Sequence, residues 1–271
     1  MKIPLEDLYS DILGKAQRGL KLTDSELAAR SGISETAIAS VKSGDVEAST
    51  LRALAPALGL NADAIVALAE GTYHPAEISL AGLAGFNSPF GDMTVNSYLV
   101  WDSTTNEAAA FDSGADATEM LDFLTENDLT LKLILITHTH GDHILELDRL
   151  VEKTKAPAFV GDREPRLEGT EPFAAGKTFS LGHLNIGTRL TWGHAQGGMT
   201  YVVQGLGKPL AIVGDAVFAG SMGGGMVSYA DAIRTNREEI LTLPDATIIA
   251  SGHGPLTTVG EQKKSNPFLA I

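Results

Sequence analysis

The chain of 271 residues contains no cysteine. That excludes a disulfide framework, a thiolate nucleophile and any metal site built on sulfur. Positive charge is scarce as well: 20 Lys and Arg stand against 34 Asp and Glu, a formal net charge of −14. Such a surface repels phosphate backbones at long range, which disfavours non-specific nucleic-acid binding by the whole chain. Long apolar runs are also missing. The most apolar stretch, Leu51 to Ala69, is broken by Arg52, Pro56, Gly59, Asn61 and Asp63, far from the roughly 20 apolar residues that span a bilayer. The opening residues carry Glu6, Asp7 and Asp11 with no continuous apolar stretch. This argues against a secretory signal and makes a cytoplasmic protein without a membrane partner the expectation. What the chain does have is 44% apolar residues, enough to fill a core.

Two textures divide the sequence. The first 70 residues read as helices alone, with Leu, Ala and Ile recurring at spacings of three and four. Thr23-Asp-Ser-Glu26 is a capping box that opens a helix through Arg30, and Gly32 ends it. Ser34 caps a second helix to about Lys42, Gly44 closes it, and Ser49 is the expected cap of a third carrying Leu51, Leu54, Ala55 and Leu58. Pro56 inside that last helix removes a hydrogen bond. Residues 71–77, GTYHPAE, read as a linker. Beyond it, residues 78–271 read as strands with interspersed helices. Strands are expected at Thr94 to Trp101, Ala108 to Phe111, Leu131 to Ile136 (buried on both faces), 178–191, 200–204, 209–213 and Thr247 to Ala250. Helices are expected at Ala117 to Asn127 and Asp231 to Leu241.

The strongest chemical signal follows the strand ending at Ile136: Thr137-His138-Thr139-His140-Gly141-Asp142-His143. In an extended segment residues two apart face the same way, so His138 and His140 can bind one ion from one side. Gly141 lets the chain turn, and Asp142 and His143 can then reach a second ion. Single candidate ligands recur beside glycine further on: His194 in TWGHAQGG, Asp215 in VGDAVF and His253 in SGHGP. The two remaining histidines have plain structural readings, His74 in the linker and His183 in a turn between strands.

This set resembles the metallo-β-lactamase superfamily over about residues 78–271. The resemblance implies an αββα sandwich in which His138, His140 and His194 hold a first metal. It assigns Asp142, His143 and His253 to a second metal and Asp215 to the bridge. Asp112 in FDSGAD matches the loop that buttresses the metals in that family. The C-terminal GHGPLTTVGEQKKSNPFL is similar to the ends of short glyoxalase II-like hydrolases. The helical segment, residues 20–60, resembles helix-turn-helix domains of the Cro/phage-repressor type, which implies DNA as a partner and a homodimer as the assembly. Its second motif helix, however, offers Ser34, Glu35, Thr36, Ser40 and Lys42 and no Arg. Residues 1–75 hold seven basic and ten acidic groups, a net charge of −3. Operator binding and a role in docking or dimerisation both stay open.

The expected fold is therefore α+β, a metallo-β-lactamase sandwich preceded by a small all-α domain. The expected cofactors are two divalent ions, zinc with iron or manganese as alternatives. The implied chemistry is attack by a metal-bound hydroxide on a small thioester, ester or lactone, with Asp142 as the catalytic group that orients it and accepts its proton. Two other functions fit the same residues: a mononuclear-iron persulfide dioxygenase using His138, His194 and Asp215, and a metabolite-sensing transcriptional regulator. The chain departs from the glyoxalase-like pattern at three places. Ile144-Leu145-Glu146-Leu147 follows the ligand loop instead of a Gly-Gly pair, and Trp192 replaces a common proline. Gly220-Ser221-Met222-Gly223-Gly224-Gly225 replaces Gly-Ser-x-Gly-Arg, so the sequence supplies no basic group near the metal centre.

Overall fold

Alternation along the strands builds two sheets that bury both faces. The computed structural model describes residues 3–270. The first sheet has the order β1-β2-β3-β4-β5-β6, formed by β1 (Leu83–Phe90), β2 (Met93–Asp102), β3 (Glu107–Phe111), β4 (Thr130–Leu135), β5 (Ala158–Gly161) and β6 (Thr170–Phe173). The second has the order β12-β11-β10-β9-β8-β7. Its strands are β7 (Thr178–Leu181), β8 (Leu184–Leu190), β9 (Met199–Gln204), β10 (Leu210–Gly214), β11 (Ile248–Ser251) and β12 (Thr257–Thr258). Residues two apart share a face. Thus Tyr98, Val100, Phe111, Tyr201, Val203 and Ile212 fill the space between the sheets. Leu99, Ala108, Ala110 and Ile134 instead face α6 (Thr118–Glu126) and α8 (Leu147–Thr154), which cover the first sheet.

The outer face of the second sheet carries a larger load. Val202, Ala211, Val213 and Ile249 pack into one core with Ala232 of α9 (Tyr229–Thr235), Val259 of α10 (Val259–Ser265) and the C-terminal Phe268 and Leu269. The same core contains Ile12, Leu13, Leu27, Ile38, Leu51, Leu54, Leu58 and Ile65. Apart from Leu58, which directly follows α4, these come from the five N-terminal helices, α1 (Tyr9–Gly19), α2 (Asp24–Ser31), α3 (Glu35–Lys42), α4 (Ala48–Ala57) and α5 (Ala62–Ala69). The joining segment is itself pinned. Tyr73 is buried, and its hydroxyl accepts a hydrogen bond of 3.0 Å from Gln262 Nε2. No helix among the described residues is long and apolar enough to cross a membrane.

Several local elements differ from the sequence expectation. Ser49 does not cap α4; the helix starts earlier, and Glu47 accepts from Thr50 N at 2.6 Å. β4 is not buried on both faces throughout, because Lys132 turns outward near Glu107 at 3.8 Å. The helix expected at Asp231 to Leu241 is α9 followed by a π-helical turn at Asn236–Ile240. β1 had no strand signal in the sequence, since Gly85, Asn87 and Pro89 obscure its pattern. As an edge strand it tolerates the proline, which pairs with Thr94.

A shared core predicts coupled unfolding. Leu13→Ala is expected to cost about 2–5 kcal/mol. Both tryptophans, Trp101 and Trp192, lie in the sandwich, so the tryptophan-fluorescence midpoint in urea should fall together with the circular-dichroism midpoint. An unchanged fluorescence midpoint would contradict the shared core.

Candidate metal centre

The candidate ligands leave strand ends on one rim of the sandwich. β4 runs into Thr137–His143, the last residues of which begin the short helix α7 (Gly141–Ile144); β8 leads to His194, β10 to Asp215 and β11 to His253. The structure brings all seven together in two groups: His138, His140, His194 and Asp215, then Asp142, His143 and His253. Within each group the donor atoms lie within 4.8 Å of one another. His140 Nδ1 is 3.0 Å from His138 Nε2 and 2.9 Å from His194 Nε2, and His194 Nε2 is 3.4 Å from Asp215 Oδ2. Tetrahedral ligands about 2.0–2.2 Å from a common ion stand roughly 3.3 Å apart, close to this spacing. In the second group His253 Nε2 lies 3.3 Å from Asp142 Oδ2, and His143 Nε2 lies 3.6 Å from it. Asp215 touches both groups, with Oδ1 3.2 Å from His143 Nε2 and Oδ2 3.4 Å from His253 Nε2.

Burial makes this arrangement costly without a cation. His143 Nε2 and Asp215 Oδ1 are buried and have no hydrogen-bond partner, so both could donate an electron pair to an ion once the His143 ring loses its proton. Burial alone would raise the pKa of Asp215, yet His143 and His253 hold it well below the usual carboxylate range. Burial also opposes charge on His143 and His253, but Asp215 and Asp112 push His143 up to about 10, and Asp142 and Asp215 push His253 up to about 11. The carboxylates thus retain positive charge on their neighbours, a role a dication fills when the protons leave. His138 goes the other way: burial and the charge of His143 hold it well below the ordinary imidazole value, so it is a neutral donor. His140 is exposed and opens the first group to solvent.

The far nitrogen of each of the other histidines is anchored, which fixes the ring with its electron pair facing inward. His143 Nδ1 donates to Asp112 Oδ2 at 2.8 Å, His194 Nδ1 to Gly224 O at 2.9 Å and His253 Nδ1 to Thr94 O at 2.6 Å. His138 Nδ1 meets Thr137 Oγ1 at 3.1 Å. Asp112, in the left-handed region with φ 59°, also accepts from Thr137 N and Oγ1, both at 2.7 Å. Glu164 carried no signal in the sequence. It accepts from Thr139 N and Oγ1 at 2.9 and 2.7 Å and from Gly197 N at 2.5 Å, tying the His138–His140 loop to the His194 loop. The glycine run lies directly against two of the candidate ligands. A Cβ at Gly223 would overlap Asp215 O and stand 2.8 Å from His194 Nδ1. His183 lies apart, on Asp102 at 2.8 Å in the β7–β8 turn.

The chain matches the family described as "Metallo-beta-lactamase superfamily" over residues 90–253. It is similar to the probable metallo-hydrolase YqgX of Bacillus subtilis, 32% identical over 206 residues that cover 67% of this chain and 95% of that one. It is also similar to the hydroxyacylglutathione hydrolase GloC of Haemophilus influenzae, 32% identical over 205 residues, 64% of this chain and 92% of that one. Among solved structures, BLEG-1, described as a B3 metallo-beta-lactamase, aligns with a TM-score of 0.57 at 30% identity over 69% of this chain and 99% of its own. ETHE1 from Myxococcus xanthus shares the fold, with a TM-score of 0.61 at 24% identity over 69% of this chain and 84% of its own. YqgX and BLEG-1 are almost wholly matched by about two thirds of this chain.

Asp112→Ala frees the His143 ring and unties Thr137, so ion affinity is expected to fall about 10–100-fold while far-UV circular dichroism is retained. Competition with a chromophoric chelator measures this; unchanged affinity would contradict the role given to Asp112.

Proposed function

Because this chain belongs to the metallo-beta-lactamase superfamily, we propose that it is a metal-dependent hydrolase of small thioesters, with related esters and lactones as further substrates. The observation that carries this reading is the pair of donor groups sharing Asp215, with buried, unpartnered atoms facing inward. His138, His140, His194 and Asp215 would hold one ion, and Asp142, His143, His253 and the other oxygen of Asp215 a second. A nitrogen and oxygen donor set suits zinc, and also iron or manganese. Bound ions of this kind supply a nucleophile from water at neutral pH and polarise a carbonyl oxygen.

The chain's own groups do the remaining work. Asp142 is mostly buried, with Oδ2 facing His253 and His143, and in this reading it would orient an attacking water and take its proton. The open side at His140 admits the carbonyl. Asp112, Thr137 and Glu164 keep the two histidine loops from moving as charge redistributes. Thioesters are favoured by the similarity to a hydroxyacylglutathione hydrolase. Operator binding has little support: Lys42, the one cation on α3, already donates to Gln17 at 3.0 Å and Asp24 at 2.9 Å. We assign the helical region to docking on the sandwich.

Purified protein is expected to hydrolyse a hydroxyacylglutathione at the same rate with and without oxygen, and His140→Ala or Asp215→Ala should reduce turnover to background in a folded chain. Oxygen uptake with glutathione persulfide and no thioester turnover would replace this reading with dioxygenase chemistry.

A further inference from the structure

The sandwich sequence offers no basic group for the loop that follows Asp215, yet the helical region brings one to it. Lys15 reaches across from α1, and its Nζ donates to Met222 O at 2.9 Å and to Asp7 Oδ2 at 2.5 Å. The same Asp7 oxygen accepts from Ser221 Oγ at 2.5 Å. Lys15 Nζ also stands 5.3 Å from the Phe218 ring, which packs edge-on against His253 with centroids 5.5 Å apart. Ser221 and Met222 are buried and lead directly into Gly223 and Gly224. Gly223 N donates to Asp215 O at 3.0 Å, and Gly224 O receives His194 Nδ1. Two ligands are therefore held by a loop whose middle is gripped by the N-terminal segment.

We propose that Asp7 and Lys15 are positioning residues for the metal centre: the helical region completes the site by clamping the 215–225 loop, so that Asp215 and His194 meet one ion at the right spacing. The proposal rests on the metal-centre reading above. Charge-assisted hydrogen bonds are short and directional, and this pair is mostly shielded, with side-chain exposures of 17% for Lys15 and 9% for Asp7. The rest of the loop is fixed from the sandwich side, where Asn266 Nδ2 donates to Ser221 O at 2.7 Å and Asn236 Nδ2 to Ala216 O at 2.6 Å. Among the described residues, the Ser221–Met222 corner is where the loop hydrogen-bonds to Lys15 of α1 and to Asp7 before it.

The test is ion affinity in the full chain, by chelator competition with zinc, together with the absorption spectrum of the cobalt(II) form. Lys15→Met should weaken one ion per chain about 10-fold or more and shift the cobalt bands, and Lys15→Arg should restore both. Ser221→Ala, which deletes only the hydroxyl on Asp7, should change both in the same direction by less and keeps the test usable if Lys15→Met folds poorly. Ile38→Val, buried in the helical core away from the loop, supplies a destabilised control whose affinity and spectrum should match wild type. Wild-type affinity and spectrum in both Lys15→Met and Ser221→Ala would overturn the clamp, as would an equal loss in Ile38→Val at equal thermal stability. Wild-type ion binding without thioester turnover would contradict the proposed activity and leave the clamp standing.

Discussion

Asp215 is a carboxylate with almost no access to water, surrounded by imidazoles whose own charge is penalised by burial. An isolated buried charge of this kind costs several kcal/mol, and the rim of the sandwich is organised around offsetting that cost. Strand ends deliver the rings, Asp112 and Thr137 orient them, and glycines such as Gly223 let backbone come within reach where a Cβ would collide. A divalent cation would satisfy the carboxylates and the inward electron pairs at once, and the proposed hydrolytic chemistry would follow from that neutralisation.

Much of the site was legible in the sequence because its residues recur in short motifs with fixed spacing. His138, His140, Asp142 and His143 sit on one loop, and His194, Asp215 and His253 each follow a strand beside glycine. Asp112 was legible through its loop motif. Glu164 was not, since one glutamate after a short strand has no spacing to mark it, although it ties two ligand loops together. The same limit applies to Lys15, which is remote in sequence from Met222 and is brought to it only by the shared core.

The fold was legible where period and burial agree. β2, β3, β9 and β10 have apolar residues on both faces, and the helix caps at Thr23 and Ser34 are real. β1, β5 and β6 were not, because they are short or interrupted by Gly and Pro and are specified by neighbours in the sheet rather than by local pattern. The Asn-Pro-Phe-Leu ending makes sense only in three dimensions. Asn266 holds the turn at Phe218–Ser221, while Phe268 and Leu269 fill the core between sheet and helices. The chain's two ends thereby brace the same ligand loop.

The most direct measurement is elemental analysis of the full chain purified without chelator or added metal. The account predicts about two zinc, iron or manganese ions per chain, as expected of two donor groups bridged by Asp215. A folded protein that carries no metal, and takes up none on titration with zinc, would contradict it.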